Sequence, residues 1–116
     1  MIKDQLIYVA HPFGGDKANK YSIDTIMENL VMLDKNNTYL SPLHNFSMLY
    51  FDKPDSKGLK ICLDMLNRCD ALVLCGDWET SKGCIGEWAF AIAKGLPIYT
   101  WKEWTDKLKE QGDNSR

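Results

Sequence analysis

Short apolar segments alternate with amphipathic ones along the chain, and this alternation constrains the fold more than any other feature. The apolar segments are typical of buried strands, and the others repeat apolar residues every three or four positions, as helices do. The predicted strands are residues 5–10, 38–43, 70–75 and 97–101. The predicted helices are residues 16–36, 58–69, 84–93 and 102–111. This order predicts a three-layer α/β/α protein with a parallel sheet of four to five strands.

Length and composition favour one domain of an ordinary globular protein. The 116 residues are 45% hydrophobic and 26% charged, and we assign residues 1–111 to a single domain and 112–116 to a polar tail. The net charge of −2 argues against binding to a nucleic acid polymer or an acidic membrane. No apolar run approaches the roughly 20 residues of a membrane span, and the first residues do not resemble a signal peptide. We therefore expect a cytoplasmic protein.

The cysteines and histidines do not form a metal-binding pattern. The four cysteines lie at positions 62, 69, 75 and 84, and no two of them have CxxC spacing. Cysteine often behaves as a small buried hydrophobic residue, which is the interpretation we favour over a metal or redox site. The two histidines, at positions 11 and 44, are too scattered to suggest zinc. We expect no metal and no cofactor.

The sheet predicts where a ligand binds. In parallel α/β sheets, ligands bind beyond the carboxyl ends of the strands, near the point where the strand order reverses. The loops at that edge are residues 11–16, 42–50 and 76–83.

A single carboxylate, Glu87, interrupts the predicted helix 84–93, which is otherwise apolar on all sides. A carboxylate in the first turns of a helix can simply favour the positive end of the helix dipole, and Glu87 could also lie on the surface. A capping box is excluded because residue 84 is a cysteine rather than serine or threonine. The small neighbours Gly83 and Ala91 share its helical face and leave space beside the carboxylate, which favours a functional role.

The loop after the first strand, His11-Pro12-Phe13-Gly14-Gly15, can be interpreted in two ways. Its glycines would let backbone N–H groups approach an anion at the start of the next helix. The alternative is a plain tight turn. The loop matches neither the GxGxxG fingerprint nor the phosphate-binding P-loop.

The loop after the third predicted strand carries acidic, hydroxyl and aromatic side chains. Ser81 is a candidate N-cap for the helix that carries Glu87. Trp78, with the aromatic residues of segment 46–51, could stack on a base or close the core from above. Asp77 could face solvent or take part in a site.

Taken together, these segments resemble the nucleoside 2-deoxyribosyltransferase-like superfamily. The resemblance is carried by IYVAHPFGG, by the strand CDALVL and by GDWETSKGCIGEWAFAIAKGLPIY, and it extends from about Leu6 to Tyr99. Its most specific part is the pattern Ser81-x-Gly83-x-x-x-Glu87. Within the superfamily, the chain is most similar to a bacterial and phage branch related to 2′-deoxynucleoside 5′-monophosphate N-glycosidases.

The resemblance implies a flavodoxin-like fold and a role for each matching residue. Glu87 would be the nucleophile that attacks the anomeric carbon of a nucleoside or its monophosphate, and Tyr8 would contact it. We expect the helix N-terminus to lower the pKa of Glu87 and the Tyr8 phenol to orient its carboxylate. The substrate would contact the following residues: His11, Pro12, Phe13, Gly14, Gly15, Asp77, Trp78, Ser81 and Gly83.

The chain departs from the superfamily at the acid that assists the leaving base. The expected aspartate position, eight residues before Asp70, is occupied by Cys62. Asp64 lies about half a turn away on the predicted helix, Asp77 is an alternative on the loop, and a neighbouring subunit is a third source.

Two functions remain open. The first is an N-glycosidase or deoxyribosyltransferase, and the second is a non-catalytic nucleotide-binding module that keeps the pocket. Large apolar side chains are concentrated in the C-terminal half, and the helix with Glu87 lacks a polar stripe, so we also predict a homodimer or a higher homo-oligomer that packs through this helix. The residues behind this expectation are Trp88, Phe90, Trp101 and Trp104.

Overall fold

The computed structural model describes residues 2–12, 16–42, 44 and 57–114, and it has the predicted alternation of strands and helices. The elements in chain order are β1 (Leu6–Ala10), α1 (Lys17–Leu33), β2 (Thr38–Leu40), α2 (Lys57–Leu66), β3 (Ala71–Leu74), α3 (Lys82–Lys94), β4 (Ile98–Thr100) and α4 (Trp101–Asn114). A short 3-10 turn, Trp78–Thr80, precedes α3. Over the described residues, no helix is both long and apolar enough to cross a membrane.

The four strands form a parallel sheet in the order β2-β1-β3-β4. In the register of β1 with its two neighbours, Tyr8 lies beside Leu40 and Leu72. The order reverses direction between β1 and β3, as it does in flavodoxin-like sheets. The α/β fold predicted from the sequence is therefore confirmed, and the crevice for a ligand is expected beyond the ends of β1 and β3.

Helices cover both faces of the sheet. On one face, α1 and α4 bury Ile23, Leu30 and Trp104 against the inward side chains Ile7, Val9, Ala71 and Val73. On the other face, α2 and α3 bury Leu66, Cys84 and Ala91 against Tyr8, Ala10, Leu72 and Leu74. Successive residues of β1 and β3 alternate between the two clusters, because side chains of a strand point to opposite faces in turn.

Local capping interactions set the ends of the helices. The Asp16 carboxylate accepts a hydrogen bond from Ala18 N at the start of α1, at 2.8 Å. Ser81 Oγ accepts one from Cys84 N at the start of α3, at 3.2 Å, so the predicted N-cap is confirmed. Gly95 ends α3 in the left-handed conformation with a φ of 81°, which glycine adopts without steric cost.

The last strand and the last helix differ from the prediction for a local reason. Thr100 and Glu103 form a capping box, in which Thr100 N donates to Glu103 Oε1 at 2.8 Å and Glu103 N donates to Thr100 Oγ1 at 3.2 Å. As a result α4 begins at Trp101, which the sequence analysis assigned to a strand. The helix continues to Asn114, three residues beyond the predicted end at residue 111, because one glycine at position 112 weakens a helix without ending it. The assignment of residues 112–116 to a tail stays a prediction.

Other boundaries of helices and strands differ from the predicted ones by up to three residues. β2 ends at Leu40 rather than at residue 43, and β4 begins at Ile98 rather than at residue 97. The single domain over residues 1–111 stays a prediction. Phe13, Gly14, Gly15 and the aromatic segment 46–51 lie outside the described residues.

Candidate active site

Helix α3 carries a carboxylate on its inward face and large apolar side chains on its outward face. Its buried residues are Cys84, Glu87 and Ala91, and its exposed large apolar residues are Ile85, Trp88 and Ile92. Both sets recur at spacings of three and four, so each forms a stripe along the helix, and the two stripes are about 100° apart around its axis. Because Glu87 lies on the inward stripe and is only 5% exposed, the alternative that it is a surface residue is wrong.

Tyr8 reaches Glu87 from the sheet. The tyrosine is the third residue of β1 and is fully buried, on the face that α2 and α3 cover. Its hydroxyl donates a hydrogen bond to Glu87 Oε2. The contact expected from the sequence is therefore present, although Tyr8 lies in the middle of its strand rather than at the carboxyl end.

Burial controls the protonation of this pair. Desolvation raises the pKa of Glu87 to about 7, and the hydrogen bond from Tyr8 opposes that shift only in part. The expected lowering of this pKa is wrong, because removal of the charge from water is the largest cause and raises the pKa. Burial and the neighbouring Glu87 charge raise the pKa of Tyr8 far above its ordinary value, so the phenol keeps its proton.

Cys62, the residue at the expected acid position, also lies at this site. Its side chain packs on the buried cluster that contains Tyr8. Burial is the largest cause that raises the pKa of Cys62 to about 11. Asp64 instead pairs with Lys60 at 3.1 Å on the exposed side of α2, so the described structure does not bring it to Glu87.

Ser81 and Gly83 lie at the first turn of α3, one to two turns from Glu87. The oxygen of Ser81 is used by the N-cap, but its hydroxyl proton is still able to donate to another group. At Gly83 a Cβ would meet only Ser81 Oγ, at 3.8 Å, so the described structure leaves space above this residue. A substrate-binding role for both residues stays a prediction.

Asp77 and Trp78 occupy the turn between β3 and α3. The Asp77 carbonyl accepts hydrogen bonds from Thr80 N and Thr80 Oγ1, at 3.0 and 2.7 Å, and its exposed carboxylate makes no capping bond. The Trp78 ring packs on the cluster that contains Tyr8, and its centroid lies 6.2 Å from that of Trp88. These contacts agree with the packing alternative for Trp78, and its contact with a base stays a prediction.

His11 links the loop after β1 to two neighbouring segments. Its Nδ1 lies 2.7 Å from the Pro12 carbonyl oxygen, and its Nε2 lies 3.0 Å from Ser22 Oγ. Because a carbonyl can only accept, Nδ1 carries a proton and Nε2 is free to accept from Ser22. The ring also contacts Gly76 after β3, and the described structure does not bring it into hydrogen-bond contact with Glu87.

Position 76 requires a glycine for structural reasons, and this requirement was not predicted from the sequence. Its φ of 59° is in the left-handed region, and a Cβ there would lie 2.8 Å from His11 Nε2. Any larger residue would strain the backbone and displace the imidazole ring. The available signal was a glycine directly after the predicted strand 70–75. The contact holds the loops after β1 and β3 together at the edge where a ligand is expected.

The described residues contain no group of three or more histidine, cysteine, aspartate or glutamate side chains that could hold a metal ion. The groups that the described structure places together here are the carboxylate of Glu87, the neutral phenol of Tyr8 and the protonated thiol of Cys62.

Comparison with known proteins identifies the family of this chain. Residues 5–100 match the family model described as "Domain of unknown function (DUF4406)". No curated protein matches the chain. Among solved structures, the chain is similar to a 2-desoxiribosyltransferase from Leishmania mexicana, with 23% sequence identity and a TM-score of 0.60.

The structural match covers 83% of this chain and 63% of the Leishmania protein, so this chain spans less than two thirds of that protein's length. At this level of identity the match establishes a common fold, and the resemblance predicted from the sequence is confirmed to that extent. The chain thus belongs to the DUF4406 family and has the α/β fold of a 2-deoxyribosyltransferase.

Proposed function

We propose that this protein cleaves the N-glycosidic bond of a nucleoside or nucleoside monophosphate, with Glu87 as the nucleophile. The observation that carries the proposal is the buried pair of Glu87 and Tyr8, in which one phenol donates a hydrogen bond to the carboxylate. A solved protein of similar fold is a 2-desoxiribosyltransferase, which supports the same class of reaction.

The reaction proceeds in two displacements, as in retaining glycosidases. First, a carboxylate oxygen of Glu87 bonds to the anomeric carbon, and the electron pair of the carbon–nitrogen bond leaves with the base, which takes up a proton. Second, a water oxygen bonds to the same carbon, the ester to Glu87 breaks and the water releases a proton. A second base in place of water makes the protein a transferase, and we favour hydrolysis.

The electrostatics of the pair suit this chemistry. Glu87 must be ionised to attack, and burial makes that form costly, with a pKa of about 7. In the transition state, positive charge develops on the sugar beside the carboxylate and offsets that cost. The neutral Tyr8 phenol holds one oxygen of Glu87 in place while the other is available for the sugar.

The remaining site residues keep the roles that the resemblance implies. Asp77 is proposed as the acid that assists the base. The residues proposed to bind substrate are His11, Pro12, Phe13, Gly14, Gly15, Trp78, Ser81 and Gly83. Among these, His11 contacts Gly76 of the loop after β3, which supports a role for the first loop at the mouth of the site. A cytoplasmic location is part of the proposal.

A second candidate function is a nucleotide-binding module without turnover. It is favoured by Cys62, which stands where the resemblance implies an aspartate, because a thiol with a pKa of about 11 is a poor acid for a leaving base.

Release of free base separates the two functions. The protein is incubated with deoxyribonucleosides, ribonucleosides and their 5′-monophosphates, and the bases are separated by chromatography. We expect one class of substrate to be cleaved, and Glu87→Gln to slow cleavage roughly 10⁴-fold, as loss of a nucleophile does. Glu79→Gln, which removes an exposed carboxylate near the same helix, is the matched control. Base release by Glu87→Gln at the wild-type rate would contradict the proposal.

We also propose that the protein is a homodimer that packs through α3. The stripe of Ile85, Trp88 and Ile92 is between 38% and 53% exposed, and exposed apolar patches on a protein surface often mark interfaces. Light scattering decides the question, and a single species of 13.3 kDa would refute the dimer.

A further inference from the structure

The imidazole of His11 lies at the point where the strand order of the sheet reverses. His11 directly follows β1, and Gly76 follows β3 after one intervening residue. Cys75 N donates to Ala10 O at 2.9 Å, so the pairing of the two strands continues up to the residue before each of them. A Cβ at Gly76 would lie 2.8 Å from His11 Nε2, so the ring covers this glycine. Ligands bind near such a point, and the ring therefore borders the expected crevice.

The imidazole lies on the side of the sheet opposite Glu87. Val9 belongs to the cluster beneath α1, and Ala10 belongs to the cluster beneath α3. Because side chains alternate along a strand, the next residue, His11, returns to the α1 side. Its hydrogen-bond partner Ser22 is indeed a residue of α1. The ring thus borders the crevice from the face opposite the one that holds the Glu87 carboxylate.

Both ring nitrogens of His11 are engaged within the protein. Nδ1 lies 2.7 Å from the Pro12 carbonyl oxygen, and Nε2 lies 3.0 Å from Ser22 Oγ. A carbonyl can only accept, so Nδ1 carries a proton, and in the neutral ring Nε2 accepts the proton of the Ser22 hydroxyl. A substrate atom could bond to either nitrogen only after one of these two hydrogen bonds is broken.

We propose that Ser22 and His11 are positioning residues: Ser22 holds the imidazole over Gly76, and the imidazole fixes the spacing between residues 11–12 and 75–76 at the edge of the sheet. Two hydrogen bonds and the contact with a glycine leave the ring one position, so this spacing is set before a substrate binds, which lowers the cost of binding. His11 then contributes to substrate binding through the position of its loop rather than through a ring nitrogen. The inference rests on the proposed function only for the identity of the substrate.

The tautomer of His11 is the first test, and the chain supplies its own reference. The only other histidine is His44, whose Nε2 contacts the Asp24 carboxylate and whose Nδ1 lies 2.8 Å from Ser41 Oγ. A carboxylate can only accept, so His44 carries its proton on Nε2. Two-bond ¹H–¹⁵N NMR at about pH 9, well above the ordinary pKa of histidine, should show the proton on Nδ1 in His11 and on Nε2 in His44. His44→Gln assigns the two sets of signals.

Removal of the Ser22 hydroxyl is the second test. Ser22→Ala should shift the ¹⁵Nε2 signal of His11, because that nitrogen loses its donor, and leave the signals of His44 in place. Thr25→Val is the matched control, since it removes a hydroxyl from the same helix that donates to Tyr21 O at 3.1 Å instead. The control should leave both histidines unchanged.

The effect on substrate separates positioning from direct contact. Ser22→Ala should raise KM for base release about three- to tenfold and leave kcat within about twofold of the wild type, because the loop is held less firmly while Glu87 is untouched. If a ring nitrogen bound the substrate instead, freeing Nε2 from Ser22 would leave KM unchanged or lower it. For a protein that binds without turnover, the dissociation constant of a nucleotide from the same panel replaces KM.

The inference is overturned if His11 carries its proton on Nε2, or if Ser22→Ala and Thr25→Val have the same KM or dissociation constant. Its failure is distinct from failure of the proposed function. Weaker nucleotide binding by Ser22→Ala in a protein that releases no base would keep the positioning role and refute the enzyme. Base release that depends on Glu87, with a wild-type KM in Ser22→Ala, would keep the enzyme and refute this role.

Discussion

Two tyrosine–carboxylate pairs lie on opposite faces of the sheet, and they are built differently. Tyr8 pairs with Glu87 beneath α3, and Tyr39 of β2 pairs with Asp34 at the end of α1, where the two oxygens are 2.5 Å apart. In the register of β1 and β2 the two tyrosines are one residue apart, because Ile7 is the partner of Tyr39. Both carboxylates are 5% exposed, so burial alone does not distinguish them.

The number of hydrogen bonds distinguishes them. Asp34 accepts from Asn36 N at 2.9 Å and from Asn37 Nδ2 at 2.8 Å, in addition to Tyr39. The Tyr39 oxygen in turn accepts from Trp104 Nε1 at 3.0 Å. Among the described residues, Glu87 accepts a side-chain hydrogen bond from Tyr8 alone. A buried carboxylate with several donors stabilises a fold, whereas one with unused acceptor capacity is typical of a reactive site.

The largest effect on stability is expected from a substitution at Asp34, whose carboxylate accepts several hydrogen bonds. Asp34→Asn turns one oxygen into a donor, and in either orientation of the amide at least one of its three partners faces that donor. We expect a loss of about 1–3 kcal/mol in the free energy of unfolding, the cost of a buried unpaired polar group. Urea unfolding measures the loss. The rate of base release per folded molecule should stay at the wild-type value, and a loss of activity without a loss of stability would contradict the assignment.

The raised pKa of Glu87 should make the free energy of unfolding depend on pH. Its pKa rises from 4.5 in the unfolded chain to about 7 in the folded protein. The folded state therefore holds the proton more tightly, and the resulting stability is complete below pH 4.5 and is lost as the pH rises through 7. Glu87→Gln lacks this dependence, so it should equal the wild type near pH 4 and exceed it by on the order of 2–3 kcal/mol above pH 8.

The measurement is urea unfolding of the wild type and Glu87→Gln across this pH range. A difference that stays constant with pH would show that burial does not raise the pKa of Glu87, and it would remove the contrast with Asp34.

The smallest expected effects are those of removing the hydroxyl group of Tyr8 or of Tyr39, and they differ in the pH profile of activity. Tyr8→Phe removes the donor that holds Glu87, so we expect kcat/KM at neutral pH to fall about tenfold, and its acid limb to shift upward because the ionised carboxylate loses a hydrogen bond. Tyr39→Phe, the matched change on the other face, should lower stability and leave the acid limb in place. Equal pH profiles for the two variants would mean that Tyr8 does not orient the nucleophile.

The pairing of Glu87 with Tyr8 could be predicted from the sequence. The hydrogen-bond network of Asp34 could not. A charged residue in an apolar helix is visible in the pattern, and strand alternation places Tyr8 on a defined face of the sheet. Asp34, Asn37 and Tyr39 look like an ordinary polar turn followed by a strand. Their network depends on Trp104, which is 65 residues from Tyr39 in the chain, and no local pattern reports that contact.

The predicted direction of the Glu87 pKa shift is wrong for a related reason. The helix-end effect can be estimated from position in the sequence, because Glu87 lies in the second turn of α3. Desolvation depends on how closely α2 and β1 cover the carboxylate, which only the packed structure contains. The contact of His11 with Gly76 is also non-local, and it joins the ends of two strands that lie far apart in the chain.

The most direct test of the account is to trap the sugar on Glu87. The substrate that the protein cleaves is replaced by its analogue with fluorine at C2′, which destabilises positive charge at the anomeric carbon and slows hydrolysis of the glycosyl ester. Intact-protein mass spectrometry should show an added fluorinated sugar in the wild type and in Asp34→Asn, and none in Glu87→Gln. Peptide mapping should locate it on Glu87. An adduct on another residue, or cleavage with inversion at the anomeric carbon, would contradict the account.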